Sequence, residues 1–113
     1  MKYIIAIIQP YRLEEVKQAL YETKVNLITV SEVLGHGRQG GFTEVYRGNK
    51  ETGNLLRKIK LEIAVNEDFV DIAVQALMKG AKTGEVGNGK IFILDIEKCI
   101  RIRTGETGHD AIG

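Results

Sequence analysis

The segment 84–90, with the sequence GEVGNGK, contains residue types that could bind an anion. Its glycines allow backbone N–H groups to point into a shared concavity, and Lys90 adds a positive charge suited to phosphate. The spacing from Gly84 to Lys90 matches the start of a P-loop, but Ile91 stands where the Mg²⁺-binding hydroxyl would be, and a strand is predicted to follow instead of a helix. The segment is therefore not a Walker motif, and a plain turn between a helix and a strand explains it equally well.

Two arginines, Arg101 and Arg103, form a second candidate anion site. A strand period of two would place both guanidinium groups on one side, where they repel each other unless an anion lies between them. Two solvated arginines near a terminus are the simpler alternative. Because Lys90 lies at the far end of the same predicted strand, we expect these basic groups to converge only across a boundary between subunits.

A long segment from Gly35 to Gly48, GHGRQGGFTEVYRG, is the third candidate. Its glycines permit backbone conformations that other residues avoid, while Arg38 and Gln39 supply long polar side chains. Its apolar side chains, Phe42 and Tyr46 among them, have no predicted core to join, which favours a role in binding. Simple flexibility of the segment is the alternative.

The elements that must position these segments follow from hydrophobic periodicity. Alternating or continuous apolar runs predict strands, and apolar stripes at helical spacing predict two helices between them. The predicted strands are 2–9, 25–34, 58–65 and 91–100, and the helical stripes run from Leu13 to Leu20 and from Phe69 to Leu77. The order βαββαβ predicts one α+β domain over residues 1–113, with a ferredoxin-like fold and a four-stranded antiparallel sheet. The connection over 35–54 is much longer than the expected hairpin, which is typical of a functional loop.

Composition limits the class of protein. The 113 residues include 16 basic and 15 acidic side chains, and a net charge of +1 gives no reason to expect binding to nucleic acid or to a membrane surface. No apolar run approaches the ~20 residues that span a bilayer, and the N-terminus lacks a signal-peptide cleavage pattern, so we expect a cytoplasmic protein. The single Cys99 excludes an internal disulfide and is expected to be a buried, inert thiol.

No clear general base accompanies these candidate sites. The two histidines, His36 and His109, both lie in glycine-flanked segments and are more simply explained as solvated loop residues. We therefore expect a protein that is not an enzyme. A weak ATPase built around 84–90 is the alternative from another functional class.

Four stretches in this order and spacing resemble the PII signal-transduction family, the GlnB- and GlnK-like nitrogen regulatory proteins. They are the segment 35–48 with GRQ and TEVYRG, KIKLEI at 58–63, TGEVGNGKIFI at 83–93, and IRIRTGE at 100–106. The resemblance covers essentially the whole chain. It implies a homotrimer that reports nitrogen, carbon and energy status by binding ATP or ADP and 2-oxoglutarate between its subunits. By the same likeness, 37–55 is a T-loop, 82–90 a B-loop and 101–113 a C-terminal loop.

The resemblance also implies which residues bind the nucleotide. Phosphates would be held by Thr83, Gly87, Gly89 and Lys90 of one subunit and by Arg101 and Arg103 of its neighbour. The adenine and sugar end would be lined by Thr29, Gly35, Gly37, Arg38 and Glu62. The implied nucleotide-binding set is completed by Ile7, Gln39, Ala64 and Asn88.

For 2-oxoglutarate, the resemblance implies a site at the base of the T-loop that forms with Mg²⁺ and ATP. Gln39 would give its side-chain oxygen to the metal, Lys58 would pair with a carboxylate, and Gly41 would complete the site. ADP lacks the γ-phosphate and should support this site poorly. Partner contacts would be made by Phe42, Tyr46 and Arg47. An ammonium transporter leads among the implied partners, which would bring the protein to a membrane.

Several positions depart from the family pattern. Glu51 occupies the place of the uridylylated tyrosine, and Asn49 occupies that of a serine phosphorylated in some relatives, so neither modification is expected. Asn88 replaces a usual aspartate, and Gln9 replaces a basic residue near 2-oxoglutarate, which predicts weaker binding of that ligand. A PII-like trimer for a different small ligand is the remaining alternative, against which the intact Gln39 and Lys58 argue.

Overall fold

The computed structural model describes residues 1–25, 27–36, 55–84 and 89–113. Its strands and helices, in chain order, are β1 (Lys2–Ile8), α1 (Leu13–Glu22), β2 (Thr29–Gly35), β3 (Leu56–Val65), α2 (Val70–Ala81), β4 (Gly89–Asp95) and the short α3 (His109–Ile112). A 3₁₀ turn precedes each of the two long helices, Pro10–Arg12 before α1 and Glu67–Phe69 before α2. The predicted βαββαβ order is confirmed. Most of the predicted T-loop and the centre of the predicted B-loop lie outside the described residues.

The four strands form one sheet in the order β2-β3-β1-β4, and every neighbouring pair is antiparallel. In the middle of the sheet, Ile4 of β1 lies opposite Ile63 of β3 on one side and Ile93 of β4 on the other. This arrangement is the predicted ferredoxin-like sheet. No helix in the described ranges is both long enough and apolar enough to cross a membrane.

The core lies between one face of the sheet and the two long helices. The alternation predicted for β3 is confirmed, whereas β1, predicted from its continuous apolar run as a buried strand, also buries only one face in this chain. Full burial of an aliphatic side chain contributes roughly 1.5–3 kcal/mol, so this layer supplies most of the stabilisation. The sheet contributes Ile4, Ala6, Ile8, Ile59, Leu61, Ile63 and Val65, and the helices contribute Val16, Ala19, Leu20, Ala73, Ala76 and Leu77.

The two helices approach each other closely at Gly80. A Cβ atom on this residue would lie 2.6 Å from the Cα atom of Val16, so only glycine fits. The Nε of Arg12 also donates to the carbonyl oxygen of Gly80 at 2.9 Å. A glycine near the end of a helical stripe is typical of a helix end, but Gly80 is buried inside α2, which ends one residue later. Its role is to permit close helix packing over the central strands.

Two predicted members of the second helical stripe are not in the core. Phe69 is 42% exposed and Ile72 is 44% exposed. Phe69 belongs to the 3₁₀ turn before α2, where the helical spacing does not yet apply. The buried face of α2 begins at Ala73.

The outer strands are shorter than predicted. β4 ends at Asp95, not at residue 100, because Asp95 pairs with Lys2, the first residue of β1, and no partner strand continues beyond it. A single further hydrogen bond, from the Ile96 N–H to the Met1 carbonyl oxygen at 3.1 Å, closes this edge. Cys99 lies in the turn that follows and is partly exposed, not buried as predicted. β2 likewise begins at Thr29 and not at residue 25.

Candidate functional site

The sheet face that points away from the helices, called here the open face, is divided into two halves. Its apolar half comes from β1 and β4 and carries Tyr3, Ile5, Ile7, Phe92 and Leu94. Its polar half comes from β2 and β3 and carries Thr29, Ser31, Lys58, Lys60 and Glu62. The open face of the sheet therefore has an apolar half beside a row of hydrogen-bonding and charged groups.

Glu62 lies at the centre of the polar half. The Lys60 Nζ is 3.0 Å from a carboxylate oxygen of Glu62, and the Tyr3 hydroxyl donates to the same carboxylate. The hydrogen bond from Lys60, followed by that from Tyr3, holds the pKa of Glu62 below its usual value. Thr29 lies directly opposite Glu62 in the sheet. The site thus presents an ionised, acceptor-only carboxylate beside a hydroxyl.

The pKa of Tyr3 is shifted upwards, in the direction opposite to that of Glu62. Burial is the main cause that raises the pKa of Tyr3 above its ordinary value, and the hydrogen bond to Glu62 adds to it. Tyr3 therefore stays a neutral phenol and a hydrogen-bond donor at neutral pH.

Lys58 lies at the base of the segment 37–54. It is only 6% exposed, although the alternation of β3 predicted an outward-facing side chain on a half-buried strand. Its Cγ atom lies 3.8 Å from where a Cβ of Gly35 would be, an ordinary contact distance, so the last residue of β2 lies against the lysine stem. Lys58 is thereby held where β2 and β3 enter the long segment between them.

Gly89 and Lys90 lie at the same end of the sheet. Gly89 has φ +111°, and a Cβ there would lie 1.8 Å from the carbonyl oxygen of Ile7, so the close approach of β4 to β1 requires glycine. Lys90 is opposite Ile7 in the sheet and is exposed. The predicted phosphate-binding lysine is therefore held by a strand, directly after a glycine that fixes its position.

Arg101 and Arg103 are not in a strand, so the prediction that a strand period aligns them is wrong. The chain turns here, because the N–H of Arg101 donates to the carbonyl oxygen of Glu106 and the N–H of Gly105 donates to that of Arg101, both at 2.8 Å. The Arg101 guanidinium donates to the carbonyl oxygen of Asp110 at 2.9 Å, and its Nε lies 3.8 Å from a Glu106 carboxylate oxygen. Arg103 is exposed within the turn.

Lys90 and the two arginines lie towards opposite ends of β4. Lys90 is the second residue of the strand, whereas the C-terminal turn is fastened near the other end of β4 by the Asn66 side chain, which donates to the carbonyl oxygen of His109 at 3.2 Å. At about 3.3 Å per residue, the strand separates them by roughly 20 Å. The basic groups do not converge within one chain.

The structure places the predicted site residues that it describes in two groups. Ile7, Thr29, Gly35, Lys58, Glu62, Ala64, Gly89 and Lys90 lie on the open face or at its loop end, with Thr83 just after α2. Arg101 and Arg103 form the second group, in the turn that follows β4. Outside the described residues lie Gly37, Arg38, Gln39, Gly41, Phe42, Tyr46, Arg47, Gly87 and Asn88. In the part of the chain that is described, no group of three or more His, Cys, Asp or Glu residues could hold a metal ion.

Comparison with known proteins decides the family. A sequence profile described as Nitrogen regulatory protein P-II matches residues 1–106. The chain belongs to the PII family. Nitrogen regulatory protein P-II of Mesorhizobium japonicum is 51% identical to this PII protein over 112 residues, which cover 99% of this chain and 100% of that one. Nitrogen regulatory protein GlnK1 of Methanosarcina mazei is 52% identical over 114 residues, covering 99% of this chain and 97% of that one.

A solved structure agrees with this assignment. The crystal structure of Arabidopsis thaliana PII bound to citrate matches this PII protein with a TM-score of 0.80 and 34% sequence identity. The match covers 98% of this chain and 88% of the plant protein. The resemblance and the fold that the sequence predicted are both confirmed, and the protein is a member of a nitrogen regulatory family.

Sequence reasoning did not identify Tyr3 and Lys60 as members of the site. The alternation of β3 places Lys60 and Glu62 on one face, which the sequence shows. The missing information was the register of β1 against β3, which puts Tyr3 opposite Ala64 and beside Glu62. Register is a property of the assembled sheet, so no single segment carries it.

Proposed function

We propose that this PII protein is a homotrimeric sensor of ATP or ADP and of 2-oxoglutarate, which binds these ligands between subunits and regulates partners through the segment 37–55. One observation carries the proposal. Lys90 and the Arg101–Arg103 turn are basic groups suited to phosphate, yet Lys90 lies at the start of β4 and the two arginines follow the opposite end of that strand. A second copy of the chain can bring one subunit's Lys90 to its neighbour's arginines.

The apolar half of the open face supports the trimer. Phe92 is 49% exposed and Leu94 is 48% exposed, and both lie beside Ile5 and Tyr3 of the adjacent strand. A contiguous apolar surface that no helix covers is unfavourable in water and typical of an interface. Packing the open faces of several copies against one another would bury this half and enclose the polar half next to it.

The polar half supports the nucleotide site. The ionised Glu62 beside Thr29 offers acceptors to the amino group and hydroxyls of a nucleoside, while Gly89 and Lys90 offer backbone freedom and positive charge to phosphates. Arg101 and Arg103 would complete the phosphate site from the neighbouring subunit. The guanidinium of Arg101 is already oriented by the Asp110 carbonyl, which reduces the entropy lost when a phosphate binds.

Lys58 supports the 2-oxoglutarate site. Its largely buried position at the base of 37–54 is where a carboxylate would gain most from an ammonium group, because the surroundings screen the charges less than water does. Mg²⁺ prefers oxygen ligands, which ATP phosphates, 2-oxoglutarate and Gln39 would supply. The citrate bound to Arabidopsis PII is also a small polycarboxylate, which agrees with this class of ligand.

Regulation of a partner, and not catalysis, is the proposed output. Phe42, Tyr46 and Arg47 would contact the partner, with an ammonium transporter as the first candidate and membrane association following from it. Glu51 and Asn49 leave the segment without the usual acceptor side chains for uridylylation and phosphorylation. The ligand state alone would then set the shape of the segment and its affinity for the partner.

The nucleotide site is tested by titration calorimetry on the purified protein. ATP and ADP should compete for equivalent sites, one per chain. Lys90→Ala or Arg103→Ala should weaken binding by about 1.5–3 kcal/mol, the usual loss for a charge-assisted hydrogen bond. Lys79→Ala, at an exposed position on α2, is the matched control and should bind normally. Wild-type affinity in both site variants would show that phosphates bind elsewhere.

The 2-oxoglutarate site is tested with the same method. The ligand should bind only when Mg²⁺ and ATP are present, and Lys58→Met should weaken it while leaving ATP binding largely intact. Equal binding in the presence of ADP would contradict the proposed site.

Intact-mass measurement after incubation with a uridylyltransferase and UTP should show no added group, and a uridylylated wild-type chain would disprove control by ligands alone.

A further inference from the structure

A network of Tyr3, Lys60 and Glu62 lies where the apolar and polar halves of the open face meet. Lys60 and Glu62 are two residues apart on β3, with Nζ and Oε1 separated by 3.0 Å. Tyr3 comes from the neighbouring strand, and its hydroxyl donates to the same carboxylate. The Glu62 carboxylate is therefore held from two directions by groups on adjacent strands of the sheet.

The carboxylate keeps capacity for a further donor. An ionised carboxylate offers about four lone-pair positions, of which Lys60 and Tyr3 use two. The side chain of Glu62 is 25% exposed, so the remaining positions are accessible from the open face. Across β2 its direct neighbour is Thr29, another member of the proposed nucleotide site.

We propose that Tyr3 and Lys60 are positioning residues that fix Glu62 as the acceptor for one donor group of the bound nucleoside. The donor is either the exocyclic amino group of the base or a ribose hydroxyl, both of which are hydrogen-bond donors. This inference rests on the proposed nucleotide site. A fixed acceptor discriminates between ligands, because an analogue without the donor leaves the desolvated carboxylate unsatisfied.

The test compares ligands and variants by titration calorimetry on the assembled protein. The ligands are ATP, 2′-deoxy-ATP, 3′-deoxy-ATP and purine riboside triphosphate, which lacks the amino group. Tyr3→Phe keeps the ring but removes the donor, and should weaken ATP binding about three- to tenfold. It should leave unchanged the affinity for the one analogue that lacks the recognised group, and that analogue identifies the donor.

Controls separate positioning from structure. Tyr21→Phe makes the same change at a 68% exposed site on α1 and should bind all four ligands like the wild type. Lys60→Met removes the second contact and should repeat the pattern of Tyr3→Phe. An equal loss for all four ligands in both variants, or no loss for ATP, would overturn the inference.

The outcomes also separate this inference from the proposed function. If the wild type binds none of the nucleotides, the proposed function itself fails. If it binds ATP normally and Glu62→Met, which has no acceptor oxygen, does too, the nucleotide site stands and the inference is wrong. Light scattering shows whether each variant assembles. If Tyr3→Phe does not assemble, the same four ligands are titrated into Lys60→Met instead. Loss of assembly in both variants would overturn the inference and assign the network to the subunit interface.

Discussion

Replacing Gly89 by alanine should damage both the sheet and the nucleotide site. The added Cβ would lie 1.8 Å from the carbonyl oxygen of Ile7, whereas carbon–oxygen contacts settle near about 3.3 Å. The start of β4 must then retreat from β1 by roughly 1.5 Å, the difference between these distances. That movement weakens the pairing of this end of β4 with β1, where Gly89 lies opposite Ile8, and displaces Lys90.

The magnitude follows from the separate terms. Holding alanine at φ +111° costs about 1–3 kcal/mol, and losing a strand hydrogen bond costs about 1 kcal/mol. The sum of about 2–4 kcal/mol should lower the thermal midpoint by about 10–15 °C and, through Lys90, should weaken ATP binding tenfold or more. Differential scanning calorimetry and titration calorimetry measure the two effects.

Gly84→Ala is the matched control. Gly84 also has a positive φ, +82°, but within the described residues no atom lies within 4 Å of its added Cβ. This variant should carry only the conformational cost, about 1 kcal/mol or slightly more. Equal thermal midpoints for Gly84→Ala and Gly89→Ala would refute the argument from close strand approach.

Three further predictions concern packing, charge and assembly. Gly80→Ala should lower stability by about 1–2 kcal/mol in urea denaturation, because the clash with the Val16 backbone outweighs a gain of about 1 kcal/mol in helix propensity; a more stable variant would contradict this. The interactions that lower the pKa of Glu62 stabilise the fold at pH values above 4.5, the ordinary pKa of this carboxyl group, and this contribution is lost as the pH falls through the lower pKa of the folded state. The stability advantage of the wild type over Glu62→Gln should therefore vanish in that range. A constant difference in stability from pH 7 to 3 would disprove this prediction. Phe92→Lys should reduce the mass seen by light scattering, whereas Met78→Lys, at an equally exposed position on α2, should not; unchanged trimers in both would exclude the open face as the interface.

The fold was predictable because its signals are local. Alternation in β3 and the helical stripe of α1 each specify one buried face, and the order βαββαβ is typical of a four-stranded antiparallel sheet with two helices on one side. The roles of the glycines depend on which atoms of other elements lie near them, and this is not visible in the sequence. Gly80 reads as a helix end from its residue type, yet the structure uses it for helix contact, because what faces it is the backbone of another element.

The ends of elements and the surroundings of the site were not predictable from the sequence. Residues 96–100 still include Ile96, Cys99 and Ile100, but a strand needs a partner, and β1 begins opposite Asp95. The turn containing Arg101 follows from that geometric limit. Likewise, the low exposure of Lys58 depends on how β2 ends against it, which the alternation of its own strand does not encode.

Tyr3 connects the two properties that the proposed function requires. Its ring belongs to the apolar half of the open face, which supports assembly, while its hydroxyl contacts Glu62 in the polar half, which supports ligand binding. Assembly would bury the ring further and lower the local dielectric around the Glu62 carboxylate, which strengthens its hydrogen bonds to Lys60 and to a ligand donor. Binding and assembly would then favour each other through shared groups, because the ligand that binds the assembled state stabilises it by mass action. In the proposed trimer, the nucleotide clefts would form where the sheets of neighbouring subunits meet, so ligand binding there would need no hinge within the chain.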